Sequence, residues 1–196
     1  MIYDLAAIAA LAGRCAPEVA TEAVVPLVVT ESGGNPLRIN VNKGPRVAAT
    51  TLGDAAALVR RYMATGYTVD VGLAQINSAN FARLGVTVEQ AFDPCTNLRL
   101  ASTVLQEGYN RASRSYAGFD AISATYSLYN SGSMTRGLRN GYVSRVWANA
   151  AAAGAIAAAP HLPGPSLAAA DTGRTGTIAD APWVVGQVDA GVEVFK

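Results

Sequence analysis

Apolar residues recur at spacings of three and four along most of the first 153 positions, the period of helices that bury one face. Ile2, Leu5, Ile8, Ala9 and Ala12 predict a first helix ending near Gly13. Ala16-Pro17-Glu18 opens a second helix, with proline suited to a first-turn position. Its inward stripe Ala20, Val24, Leu27 and Val28 continues to Glu31. Pro26 inside this helix removes one backbone hydrogen bond and predicts a kink. Gly33-Gly34 supplies backbone for a C-cap, and Asn35-Pro36 stops the helix from continuing.

The period then changes to two. Leu37 to Asn42 alternates apolar and polar residues and predicts a short strand, ended by Lys43-Gly44-Pro45. Thr51-Leu52-Gly53-Asp54 reads as a capping box with Asp in place of Glu. It introduces a helix from Ala55 to Thr65, with Leu58, Val59 and Tyr62 inward and Gly66 at its end. Tyr67 to Asn77 predicts a second extended segment able to pair with the first. Helix then returns in a short stretch from Ser78 to Leu84, stopped by Gly85, and in a turn opened by Thr87 to Gln90. Asp93-Pro94 caps a long helix to about Ala112, with Leu98, Ala101, Leu105 and Tyr109 inward. Phe119 to Asn130 forms another, ended by Ser131-Gly132-Ser133. Tyr142 to Ala153 closes the pattern, with Val143, Val146, Trp147 and Ala150 inward.

From Gly154 the composition shifts to Ala, Pro, Gly and Thr, and residues 154–181 read as a linker with little capacity to bury a core. His161, set among its prolines, reads as a solvated linker residue. Residues 182–196 recover apolar character, as a docking segment for this domain or a partner, or as a frayed tail. The expected organisation is one helical domain over residues 1–153, a linker over 154–181 and an apolar C-terminal segment over 182–196.

Composition narrows the function classes. The 196 residues carry a formal net charge of +1, and 15% of them are charged. A nucleic-acid binder would show a basic excess, so nucleic-acid partners are not expected. No apolar stretch reaches the roughly 18 residues that span a bilayer, so no stable membrane insertion is expected. The apolar start resembles the core of an export signal but has Asp4 where a basic residue belongs, and it reads as a core helix. Cys15 and Cys95 are too far apart for a CxxC metal or redox motif. On spacing alone they are either one disulfide or two buried thiols. No metal and no organic cofactor is expected.

The candidate chemistry begins with Glu31. An acid on the apolar face of a helix is partly desolvated, which raises a carboxyl pKa. A carboxyl that stays protonated near neutral pH serves as a general acid. Two further islands stand beside Glu31-Ser32 and Asn35-Pro36. One is Asp70-Val71-Gly72-Leu73-Ala74-Gln75-Ile76-Asn77, and the other is Ala124-Thr125-Tyr126-Ser127-Leu128-Tyr129-Asn130-Ser131-Gly132. In this order, the three resemble the lytic transglycosylases of the lysozyme-like superfamily, in the branch associated with type IV secretion systems. Cys15-Ala16-Pro17 and Phe92-Asp93-Pro94-Cys95 also look like that branch. The resemblance spans roughly residues 5 to 150.

The resemblance implies a mainly α, α+β lysozyme-like fold, with a small β-ribbon flanking an active-site cleft. It implies peptidoglycan glycan strands as substrate, a periplasmic location, and a bridge between Cys15 and Cys95. It makes Glu31 the acid and then the base of the reaction. Gln75 and Asn77 would line the cleft and hold sugar amides and hydroxyls. Tyr129 would place its hydroxyl near Glu31 and help orient it, and Asn130 would support the loop or the substrate. Ser32 would brace the turn after Glu31; Gly72 and Asp70 would serve as supports. One departure is Ala74, where many relatives carry Met, which would remove volume from the cleft wall. Two rival readings stand beside this one. A hydrolytic muramidase would use Asp70 as a second carboxylate, and a peptidoglycan-binding assembly module would recruit secretion components through the C-terminal segment.

Overall fold

A computed structural model describes residues 2–160 of the chain. The segment expected at 182–196, most of the linker, and His161 lie outside the described residues. Within them, helix α1 (Leu5–Cys15) is followed by α2 (Thr21–Ser32), strand β1 (Ile39–Val41), α3 (Leu52–Ala64), and strands β2 (Val69–Val71) and β3 (Ile76–Asn77). A 3₁₀ turn at Ser78–Asn80 then leads to α4 (Phe81–Leu84), α5 (Val88–Phe92), α6 (Pro94–Ala112), α7 (Gly118–Ser131), α8 (Arg136–Arg139) and α9 (Tyr142–Ala152). This is the mainly α, lysozyme-like α+β architecture expected from the sequence.

The core is helical. Leu27 and Val28 of α2, Leu98 and Leu105 of α6, Tyr126 of α7 and Val143 of α9 are almost wholly shielded from solvent. Helix α2 packs against α1 and α9, and α6 packs against α1 and α7. Two side chains pin α2 from its neighbours. The Tyr126 hydroxyl donates to the Ala23 carbonyl at 3.0 Å, and Asn149 Nδ2 donates to Thr30 Oγ1 at 2.9 Å. Cys15 and Cys95 form a disulfide that ties the end of α1 to the first turn of α6 across a separation of 80 residues.

The helix stops follow the glycines. Gly33, Gly85 and Gly132 each take a left-handed C-cap conformation. Thr87 and Gln90 form a reciprocal capping box for α5, and the Asp93 carboxylate accepts from the Thr96 N–H at 2.8 Å to cap α6.

Four expectations are corrected. The first helix starts at Leu5 because the Asp4 carboxylate caps it through the Ala7 N–H. Its buried side is Ile8, Leu11, Ala12 and Cys15; Ile2 is 69% exposed and Leu5 47% exposed. The second helix starts at Thr21, not Pro17, because Val19 turns into the core ahead of it. The extended segment from Tyr67 to Asn77 is two strands, because Gly72 and Gln75 adopt φ of +82° and +52° and turn the chain back. Ile156 is buried against the core, so packing continues past the linker boundary expected at Gly154.

The sheet is antiparallel in the order β1-β2-β3, with Asn40 opposite Asp70 and Asp70 opposite Asn77. Strand alternation sends Ile39, Val41, Val69, Val71 and Ile76 into the core. The same alternation sets Asn40, Asp70 and Asn77 in a polar row on the other face. That row flanks the groove described next.

Candidate active site

Glu31 lies one residue before the end of α2, on the wall of a groove with a cavity volume of about 650 Å3. Every substrate-facing residue expected from the sequence lines this groove: Gln75, Asn77, Tyr129 and Asn130, together with Asp70. Asn42, Lys43, Thr68, Arg136 and Asn140 line it too. The lining is rich in amides and hydroxyls, which can both donate to and accept from sugar hydroxyl and acetamido groups.

Burial pushes the Glu31 carboxyl up to about 7, and the nearby negative charge of Asp70 adds to the shift. A hydrogen bond from the Tyr142 hydroxyl and the positive charge of Arg145 pull the other way. The carboxyl is thus both protonated and deprotonated in useful amounts near neutral pH, the condition for one group to act as acid and base. The Tyr142 hydroxyl donates to Glu31 Oε1. Arg145 sits over the Tyr142 ring, 5.9 Å from its centroid.

Tyr129 stands near Glu31 as expected but does not orient it. Its hydroxyl donates to the Ala74 carbonyl at 2.7 Å, so it fixes the turn between β2 and β3 and does not bond Glu31. It is close enough to the acid that, after burial, the Glu31 charge is the next cause holding its hydroxyl protonated. Ala74 is fully buried, so its small side chain affects packing beneath the turn and not the groove wall.

The other expected residues have defined partners. Gln75 Nε2 donates to the carbonyls of Arg38 and Gly72, each at 3.0 Å. Asp70 accepts from Asn40 Nδ2 at 2.9 Å and from Asn77 Nδ2. Asn77 Oδ1 caps the following turn through the Ala79 N–H at 2.9 Å. Asn130 Oδ1 accepts from Asn140 Nδ2 at 3.0 Å, joining the ends of α7 and α8 across the groove rim. Ser32 Oγ donates to the Val28 carbonyl and accepts from the Gly34 N–H, both at 3.2 Å, so it closes the turn behind Glu31.

The turn between β2 and β3 has a buried anchor that the sequence reading missed. Asn97, in the first turn of α6, donates to the carbonyls of Val71 at 3.0 Å and Ala91 at 2.6 Å, and accepts from the Ala74 N–H at 2.7 Å. Gly72 is required beside it: a Cβ there would stand 2.3 Å from Asn97 Nδ2, on a backbone at φ +82°.

A family model described as the transglycosylase SLT domain matches residues 9–145. The chain belongs to the transglycosylase SLT family. The matched span runs from α1 into the first turn of α9 and so includes both Glu31 and Tyr142. The SLT chain is 36% identical over 148 residues to the type IV secretion system protein virB1 of Brucella abortus, covering 71% of this chain and 62% of that protein. It is 35% identical over 137 residues to protein virB1 of Rhizobium radiobacter, covering 69% and 57%. Protein virB1 of Agrobacterium fabrum is 34% identical over 136 residues, with 69% and 56% covered. The chain therefore spans about three fifths of the length of these curated relatives. No solved structure matches it.

Tyr142, like Asn97, is an SLT-domain residue that sequence reasoning passed over. A signal was present. Tyr142 precedes Val146 and Ala150 by one and two helical repeats of four, so it belongs to the inward stripe of α9. Its partner lies 111 residues away, and nothing local announces that.

Proposed function

We propose that this SLT domain is a lytic transglycosylase that cleaves peptidoglycan between N-acetylmuramic acid and N-acetylglucosamine. The observation that carries the reading is Glu31, a partly buried carboxyl pushed up to about 7 on the wall of an amide-rich groove. In its protonated form Glu31 gives its proton to the glycosidic oxygen as the bond to C1 of the muramic acid breaks. The resulting carboxylate takes the proton from the C6 hydroxyl of the same sugar as that oxygen bonds to C1. The product is a 1,6-anhydro ring; no water enters, and Glu31 ends protonated as it began. One carboxyl thus performs both steps, unlike the paired carboxylates of ordinary glycosidases.

The disulfide fits an oxidising compartment such as the periplasm. The names of the virB1 relatives support a place beside a type IV secretion apparatus, with local opening of the wall as the task. In this reading residues 182–196 are the segment that would meet secretion components.

A hydrolytic muramidase is the second reading, because Asp70 lines the same groove as Glu31 and its charge acts on the acid. Digestion of purified peptidoglycan, with products read by mass spectrometry, separates the two. Anhydro-muramyl ends that disappear in Glu31→Gln are the expected result. Reducing ends would move the reaction to the hydrolase and the second role to Asp70. Glycan binding without any product from the wild type would favour an assembly module.

A further inference from the structure

Two of the hydroxyls buried along α7 serve the core. Thr125 Oγ1 donates to the Ala121 carbonyl of its own helix at 2.7 Å, and Ser123 Oγ accepts from the Trp147 indole at 3.0 Å. Ser127 is used differently. It is 0% exposed, and its Oγ donates to the Ser133 carbonyl at 2.6 Å and accepts from the Gly137 N–H at 2.8 Å. Ser131 Oγ reaches the same carbonyl only at 3.3 Å. One buried oxygen therefore holds the segment 133–141 both at its start and within α8. The two chains meet closely there: a Cβ on Gly137 would stand 2.7 Å from Ser127 Cα.

The held segment leads straight to the acid. Arg136 opens α8 and Asn140 follows its end, and both line the Glu31 groove. Asn140 Oδ1 accepts from the Tyr142 N–H at 3.0 Å, after Gly141 has turned the chain at φ +75°. Tyr142 in turn donates to Glu31. The path from Ser127 is thus short: Gly137, Asn140, Tyr142, Glu31. Ser127 itself does not line the groove. Other groups face the acid from other elements. Asp70 does so from β2, Tyr129 from α7 and Arg145 from α9, and Lys43 and Arg136 add positive charge to the groove wall. Of these, Arg136 rides on the segment that Ser127 holds.

We propose that Ser127 is a positioning residue: by fixing residues 133–141 it seats the Tyr142 hydroxyl against Glu31 and sets Arg136 and Asn140 on the groove wall. The proposal rests on the transglycosylase reading above and adds to it a residue that acts on the acid while touching neither the acid nor the sugar. Without the Ser127 hydroxyl the segment loses both anchors, and Tyr142 donates less well to the charged form of Glu31. The carboxylate is then less stabilised, so the carboxyl should hold its proton to higher pH.

The test is the titration of Glu31 itself, followed by NMR of protein labelled with carbon-13 at its glutamate carboxyls. The signal missing from Glu31→Gln assigns it. Ser127→Ala should raise the titration of Glu31 by roughly half a pH unit, part of the rise of about one to two units that losing a whole hydrogen bond to a charged group would give. Gly137→Ala keeps the hydroxyl but forces the same contact apart, so it should act in the same direction. It carries the test if Ser127→Ala does not fold. In a Tyr142→Phe background neither substitution should move the titration further, because the link through which they act is gone. An unmoved titration in the folded variants would overturn the proposal, even if turnover slowed. A shift that persists in full without the Tyr142 hydroxyl would overturn it too, and would assign the effect to Arg136. Digestion of peptidoglycan reports on the reaction separately, and the alkaline limb of anhydro-product release should move with the titration. Absence of anhydro products from the wild type would remove the transglycosylase reading, and the titration would still decide the link from Ser127 to Glu31.

Discussion

Glu31 is the residue on which the chemistry turns, and its surroundings oppose one another in a way that can be measured. Burial disfavours the carboxylate, and the Tyr142 hydroxyl and Arg145 restore part of its stability. Activity that needs the protonated acid should fall as pH rises through about 7. Tyr142→Phe removes a donor to the charged form, so the alkaline limb should move upward. The rate should also drop roughly tenfold, the scale of one hydrogen bond to a charged group. A slower enzyme with an unmoved limb would mean that Tyr142 does not act through Glu31. Stability gives an independent reading. The folded pKa is raised above its ordinary 4.5, so the contribution of Glu31 is complete below pH 4.5 and is lost as pH rises through about 7. The gap corresponds to on the order of 3 kcal/mol. Glu31→Gln should therefore be more stable than wild type at pH 8.5, with the gain fading toward pH 4, as followed by urea denaturation. A difference that does not vary with pH would contradict the burial of the carboxylate.

The β2–β3 hairpin presents Gln75 and Asn77 to the groove, and its turn depends on an amide from another element. Asn97 is 0% exposed, and its side chain satisfies three backbone groups. Asn97→Ala would orphan all three, at roughly 1 kcal/mol or more each. The expected loss is about 3 kcal/mol in a denaturation experiment, with activity falling as the turn loosens. A loss below 1 kcal/mol would show that water or a backbone shift replaces the amide. The same hairpin marks where sequence reading reached its limit. Helices were legible because their stripes are long and their stops are chemical: Gly33, Gly85 and Gly132 are left-handed caps, and Thr87 and Asp93 cap the helices that follow them. The turn from Gly72 to Gln75 was read through as strand. Only Gly72 signals it locally, while Gln75 is held at positive φ within a turn whose anchor, Asn97, comes more than twenty residues later. Helix α8, with four residues, is too short to show a period. The groove residues were recognised from their motifs, but the partners of Glu31 and Tyr129 are long-range contacts that no motif records.

At the scale of the whole molecule, α1 acts as a clamp on the helix that carries the acid. It packs on α2 and α6. Ahead of it the Tyr3 N–H donates to the Gly34 carbonyl at 2.9 Å, just behind the Glu31 turn. A Cβ on Gly34 would stand 2.2 Å from the Tyr3 carbonyl oxygen, which fixes how closely the two segments approach. At its other end the clamp is closed by the Cys15–Cys95 bridge. That bridge closes a loop of 80 residues in the unfolded chain, which in the chain-entropy model is worth on the order of 4 kcal/mol. Replacing both cysteines with alanine should remove about that much stability in urea denaturation. Turnover at 25 °C should stay within about twofold of wild type as long as the domain is folded, because neither cysteine lines the groove. Reducing the wild type should reproduce the loss, and adding reductant to the double variant should change nothing. An unchanged denaturation midpoint would mean that helix packing alone closes the clamp. Lost turnover in a variant that keeps native circular dichroism would mean something else: the bridge would then set the position of α2, and hence of Glu31, as well as stabilising the fold.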